Sequence, residues 1–548
     1  MKKISVPFFL FLFGAGGSLS AQTVLPLTDG PLYEIARRKQ LGGDSSASLA
    51  AISFTVRPIT LDQFITDGSL RPAERLNDLA DGSSPIKRRL AVKALPFQHL
   101  TQFNATRPLA FADGALIPAR GWQFYYTAGA ELRSKHFLLR INPEYSWAFN
   151  ANFQGFPSDH YPIIWKYYYN WLNSIDQPER FSPEPYYKIR PGQSRMQVML
   201  KGMALGVSTE NRWWGPGRFN ALTLTNNAPG FFHYTFHTDK PLRTPVGTWE
   251  WQLIWGGRLT NSNELPPDFN RTYDNRRLYL PKENRQRRFS GAVISLQPRW
   301  TKGLFIGVDM ARIAYVDQKR LRPAKMGSVF ARLAMPQERA ELYFQHGRSD
   351  KFASPINLLQ DTIPRGYLAG MRKLFPIRAS TASFLQFGVE ITQLQVPNPS
   401  LIRQARSWYT DDIIRHGFTN QGQVLGAPIG PGSNAQRLDI SWIKNKSRVG
   451  IELERWLHNA DFYYNYNINS GSNDFNRQWV DLMASLVWNF PYRKWNWFGQ
   501  FSVVRSINYQ WKSYIPVPVT PETYFDDGWD EINLHGRIGF IHFFSYDK

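Results

Sequence analysis

The sequence contains no cysteine in 548 residues. That excludes a disulfide framework, thiolate metal sites and cysteine nucleophiles, whatever the compartment. It also lacks any long uninterrupted apolar segment beyond residue 21, and its mean hydropathy is −0.40 although 15% of its residues are aromatic. Transmembrane helices, each needing about 20 apolar residues, are therefore excluded. Acidic residues are few beside basic ones, 43 against 65, for a formal charge of +22. Such a balance favours anionic partners. Reaction signatures are missing too. No G-x-S-x-G elbow occurs, and "GPGSN" at 430–434 is not a phosphate loop because no lysine follows it. Carboxylates such as Glu210 and Glu250, or Asp526 and Asp527, imply no mechanism without a known separation. His233 and His237 share strand parity but are too few to hold a metal. The expectation is a non-enzymatic protein with no catalytic residues, no metal and no cofactor.

What is present begins with "MKKISVPFFLFLFGAGGSLSAQT". Lys2 and Lys3, an apolar run from Ile4 to Phe13 and small residues up to Ser20 and Ala21 read as a secretory signal peptide over 1–21. Its removal takes two charges from +22 and leaves +20. Export makes lipopolysaccharide or polysaccharide better partners than nucleic acid.

From about residue 95 onward, segments near ten residues long alternate in polarity, the period-two pattern of strands. In "TASFLQFGVEIT" Leu385, Phe387, Val389 and Ile391 share one face and Gln386 and Glu390 the other; "RAELYFQHG", "TWEWQLIWGG" and "RVGIELER" repeat the pattern. Strands of this length, with an apolar face and aromatic ends, describe an outer-membrane barrel closed because lipid cannot hydrate a free edge. Counting from 95–106 to 532–546, with 194–208, 220–226 and 232–238 each taken as a strand, gives about 18 antiparallel strands. The long connections 149–193, 260–287, 348–364, 395–434, 458–476 and 511–531 all follow odd-numbered strands, so they share the outer side. The expected organisation is a signal peptide at 1–21, a short helical periplasmic plug at 22–92 and a barrel at 93–548. In the plug, helices are expected over "PLYEIARRK", over "LDQFITDG" behind a Thr60 and Gln63 capping box, and over "IKRRLAVKAL" after Ser84 and Pro85.

One stretch, "STENRWWGPGRFNALTLTNNAPGFFH" at 208–233, resembles the signature of the capsule assembly protein Wzi family. "FADGALIPARGWQ" at 111–123, "INPEYSWAFNANFQGF" at 141–156, "IRPGQSRM" at 189–196, "GTWEWQLIWGGRL" at 247–259 and "GQVLGAPIGPGSN" at 422–434 resemble the same family. The resemblance runs from about residue 90 to the end. It implies an 18-stranded outer-membrane barrel of a Gram-negative bacterium, with a helical plug and a lectin-like role in holding capsular polysaccharide. The chain departs from the family in its short amino-terminal helices and in ending "FFSYDK", with Lys548 after the aromatic Tyr546.

By strand parity, 209–219 is expected to be a periplasmic turn, so Arg212, Trp213, Trp214, Gly215, Pro216 and Gly217 read as a structural corner. Asn226 and Asn227 then belong to the next outer turn. The outer loops carry the better polysaccharide-binding chemistry, aromatic faces beside guanidinium groups. The candidates are Trp165, Tyr167 and Trp171; Arg271, Arg276 and Arg277; Arg403, Arg406, Trp408 and Tyr409; and Tyr463 and Tyr464. The competing expectation for the aromatic residues is a packed loop core. The expected protein is a monomer that retains or organises surface polysaccharide, contacts outer-membrane lipid and lipopolysaccharide, and binds no nucleic acid. The alternative is a porin or channel for small solutes, which the same fold permits.

Overall fold

The computed structural model describes residues 23–24, 30–42, 49–61, 91–317, 321–349, 363–378, 383–396, 406–469, 477–512 and 530–544. The signal peptide, most of "LDQFITDG", the Ser84 and Pro85 helix start, Arg403 and Tyr546 lie outside them.

One antiparallel sheet of 23 segments forms the wall, and its last segment, Glu531–His542, pairs with Phe97–Asn104 to close it. Five pairs of consecutive segments are single lines of strand broken by a kink, and 23 less these five joins leaves 18 traverses. Four of the kinks contain a proline (Pro96, Pro143, Pro191 and Pro241), which cannot donate to the ladder. Alternation then sorts each strand by face. Ile451 is 56% exposed on the lipid side, whereas its neighbour Glu452 is 3% exposed and turned into the lumen. This inverts the pattern of a soluble sheet, as a membrane barrel requires.

The count agrees with the sequence reading, but two assignments behind it are wrong and offset each other. The stretch 194–208 is two arms, Arg195–Leu200 and Met203–Ser208, turning at Lys201 and Gly202 with φ of 50° and 83°. Apolar residues run through this turn and hide it. The segment 220–226 is no strand; it lies inside the barrel. A third correction concerns "IKRRLAVKAL": its described part, Ala91–Ala94, is the first wall strand and not a helix, because it pairs with Ala130–Arg133. Thr60–Leu61 pairs with Thr23–Val24 as a short strand, and Gln63 with the rest of the helix expected there lies outside the described residues.

Long connections gather at one end of the barrel and tight turns at the other, which sets outside and periplasm. Among the described residues Tyr186–Arg190 pairs with Glu144–Ala148 on one side only. On its other side Met203–Ser208 stops short, and the hairpin Thr419–Val424 sits beside the strand Tyr186–Arg190. Gln421 Oε1 accepts hydrogen bonds from Lys188 Nζ at 2.8 Å and Arg190 Nε at 3.2 Å, and its backbone N–H donates to Thr260 O at 2.8 Å.

Described segments occupy much of the lumen, around a cavity of about 280 Å³ lined by Glu34, Arg38, Phe111, Arg218, Arg437 and Arg537. Helix α1, Gly30–Leu41, starts with Pro31 near its first turn and stops where the Gly42 N–H bonds Arg38 O at 2.9 Å. Its Leu32, Ile35 and Ala36 face Phe54, Ile59 and Trp213 in a buried cluster. On the opposite side its charges meet the wall. Arg37 Nε lies 2.9 Å from Glu341, which also binds Arg332 at 2.7 Å and Arg372 at 2.6 Å. Glu34 binds Arg372 at 2.9 Å and Arg218 at 3.0 Å. Burial pushes the Glu34 carboxyl up, but Arg218, Arg372 and Arg38 outweigh it and hold the group well below its ordinary range. Above α1, the excursion 209–232 and the connection 406–433 share a second apolar cluster through Trp214, Leu222, Trp408, Tyr409 and Val424.

Candidate functional site

The motif at 208–233 is neither a periplasmic turn nor an outer loop. The wall strand ends at Ser208 and the next begins at His233, and these two residues are paired; the chain between them folds into the lumen. Taking Arg195–Leu200 and Met203–Ser208 as one strand shifts the parity by one just before this point, which is why the stretch reads as a periplasmic turn in the sequence. Trp213 and Trp214 pair along the backbone with Arg57 and Val56. The Arg57 guanidinium lies 4.7 Å from the Trp213 ring. Arg212 binds Glu210 at 3.1 Å; burial lowers its pKa to about 10 against the pull of Glu210.

The Gly-Pro-Gly turn has a steric cause. Gly215 has φ of 126°, and a Cβ there would meet Gln345 at 2.6 Å, while one on Gly217 would sit 1.9 Å from Asn220 O. Beyond the turn, Glu390 accepts the backbone N–H of Arg218 at 2.7 Å and of Asn220 at 2.8 Å. Asn226 and Asn227, expected in an outer turn, are buried and donate to Ala112 O at 3.0 Å and Val424 O at 2.8 Å. These bonds all run to the interior, while Trp213 Nε1 and Arg212 Nε are buried there without a hydrogen-bond acceptor among the described residues. His233 is buried with Nδ1 2.7 Å from Phe231 O, and among the described residues no three potential ligands cluster around a metal position.

The outer-loop candidates divide. Trp408 and Tyr409 are buried, the tyrosine hydroxyl donating to Leu222 O at 2.8 Å. They anchor the 406–433 connection and present no face to a ligand. Arg406 is held by Asp411 at 3.2 Å and Asp412 at 2.5 Å. Trp165 and Tyr463 lie in an aromatic core between α2, Pro162–Leu172, and α3, Ala460–Asn469, together with Phe156, Tyr168, Phe462 and Trp511. Tyr167, Trp171 and Tyr464 are half-buried at its margin. Tyr168 donates to Glu179 Oε1, and burial raises both groups' pKa. The loop-core expectation therefore holds for the buried rings.

One group remains at the surface and is brought together. A two-stranded hairpin, Thr272–Tyr273 with Arg276–Arg277, turns at Asp274 and Asn275 with φ of 48° and 59°, a primed turn suited to those residues. It rests on α2. The Arg271 guanidinium stacks 4.2 Å from the Trp165 ring centre, and Lys166 Nζ lies 5.2 Å from the Tyr273 ring. Arg276 and Arg277 are exposed. Lys166 and Tyr273 were missed in the sequence, although "YDNR" carries the turn signal.

No family model and no curated protein matches the chain. Among solved structures it is similar to Wzi of Escherichia coli, an outer-membrane protein involved in group 1 capsule assembly and described as a carbohydrate-binding β-barrel. The TM-score is 0.56 at 13% identity, covering 96% of this chain and 100% of that one. The likeness to Wzi is one of fold. OccK8 (OprE) of Pseudomonas aeruginosa and OccAB3 of Acinetobacter baumannii align at TM-scores of 0.39 and 0.39 with 7% and 9% identity. They cover 82% and 83% of this chain and 97% and 99% of theirs. The fold is that of an outer-membrane barrel, as the resemblance to Wzi implied.

Proposed function

We propose that the protein is a non-enzymatic outer-membrane lectin that binds capsular or other surface polysaccharide on its outer loops and helps retain it at the cell. The observation that carries this reading is the hairpin 271–277 on α2, where Arg271 is stacked on Trp165 and Arg276 and Arg277 face solvent. Arg271 is held by Asp268 at 2.9 Å, the exposed Arg276 and Arg277 beside it suit the carboxylates of an acidic glycan, and the half-buried Tyr167, Tyr273 and Trp171 offer ring faces to sugar C–H surfaces. The likeness in fold to Wzi, described as a carbohydrate-binding β-barrel, supports this reading.

The packing of α1, 209–232 and 406–433 inside the barrel weighs against a wide, open channel. The test compares cell-attached with shed polysaccharide for the triple variant Arg271→Ala, Arg276→Ala and Arg277→Ala at equal amounts of folded barrel. Increased shedding is expected. Unchanged retention, together with robust conductance of the native protein in a planar bilayer, would favour the channel.

A further inference from the structure

Four consecutive wall strands carry basic residues on the lipid side at their outer ends. Arg258 lies directly across from Arg288, and Arg312 directly across from Lys325. Ser290 is the partner of Arg312, so Arg288 and Arg312 are diagonal neighbours. Leu259, Phe289, Ile313 and Met326, next along each strand, are buried in the lumen, which turns all four cations outward. All four are exposed. Among the described residues none of them lies within 4.0 Å of a carboxylate oxygen, by contrast with the lumenal arginines. Beneath them on the same face come Trp255, Ile294, Ile306, Met310 and Val329, all exposed apolar side chains.

Like charges facing each other across a strand pair destabilise a sheet. Two such pairs side by side, with no carboxylate within 4.0 Å among the described residues, favour an external anion. It must be multivalent to serve four cations, and it must carry apolar chains to lie against the band below. We propose that Arg258, Arg288, Arg312 and Lys325 form a binding site for the phosphorylated, multiply acylated glucosamine disaccharide of outer-leaflet lipopolysaccharide. The phosphates sit among the four cations and the acyl chains run down the apolar face. This surface is separate from the polysaccharide site on the loops.

The test uses purified full-length protein in detergent and fluorescent lipid A. Native protein should bind lipid A more tightly than lipid A stripped of both phosphates, by about tenfold or more, as expected for losing charge-assisted contacts. This comparison needs no variant and so cannot fail through misfolding. Arg288→Gln with Arg312→Gln should weaken lipid A binding similarly, whereas Arg299→Gln with Lys302→Gln at the opposite rim should leave it unchanged. Phosphatidylglycerol should compete poorly. Equal binding of the dephosphorylated lipid, no loss in the Arg288 and Arg312 variant, equal loss in the rim control, or equal competition by phosphatidylglycerol would each overturn the proposal.

Discussion

The indole Nε1 of Trp214 donates a 2.8 Å hydrogen bond to Oε1 of Gln252, a lumenal residue of the wall. That bond, with the ring packed near Phe289 and Gly291, fixes the interior excursion to the barrel. Trp214→Ala should therefore cost about 3–5 kcal/mol of stability and leave Gln252 Oε1 without its indole donor. The reading is the fraction of heat-modifiable barrel across a urea series in lipid vesicles. A transition matching that of the native protein would refute the structural role.

Accessibility gives a second prediction, made simple by the absence of other cysteines. On intact cells a membrane-impermeant maleimide should label Arg276→Cys, on the outer hairpin, and miss Pro216→Cys, which is buried in the lumen. Pro216→Cys should also resist labelling in spheroplasts until the protein is unfolded. Its ready labelling from the periplasm would restore the turn expected from the sequence.

The third prediction concerns how α1 is held. Glu34 serves Arg218 and Arg372 together, and removing one partner of such a buried network costs about 3–5 kcal/mol. Glu34→Gln should make α1 accessible to protease from the periplasmic side. Because the folded-state pKa of Glu34 is depressed, its contribution is present above the unfolded value and is lost as pH falls through the folded one. The native and variant proteins should thus converge in strong acid and diverge near neutrality. Equal protease resistance at neutral pH would contradict this.

Asp461 on α3 predicts the opposite trend. It accepts from Val396 N–H at 2.9 Å and Ser407 Oγ at 2.7 Å, and burial raises its pKa from 3.8 to about 6. The folded state then holds a proton that the unfolded state has released. Stability from this group falls as pH rises from about 4 to about 6, by up to about 3 kcal/mol. Asp461→Asn should flatten that part of the profile, followed through tryptophan emission of the outer-loop core. An unchanged slope would assign the pH response to another group.

Much of the wall was legible because lipid leaves strand alternation no ambiguity. The faces of Leu385, Gln386, Ile391 and Glu390 fall as the period-two pattern requires. The interior was not legible, since 209–232 has the composition of a turn-rich loop and only tertiary pairing with Val56 and Arg57 reveals where it goes. The outer aromatic residues were equally ambiguous. Trp165 and Trp408 look alike in sequence, yet one carries a half-buried arginine at the margin of the loop core and the other seals the interior cluster. Nothing local distinguishes them, because the difference lies in which distant residues, Arg271 or Leu222, arrive beside each ring.

The pairing of Ser208 with His233 has an evolutionary consequence. The interior excursion leaves and rejoins the wall at one rung, so the ladder between Met203–Ser208 and His233–Thr238 would survive its removal with register unchanged. A single in-frame deletion joining those arms through a short turn would strip the support from α1, Trp408 and Tyr409 while sparing the strands that face lipid. An interior segment of this kind can thus be gained or lost without a change in strand number.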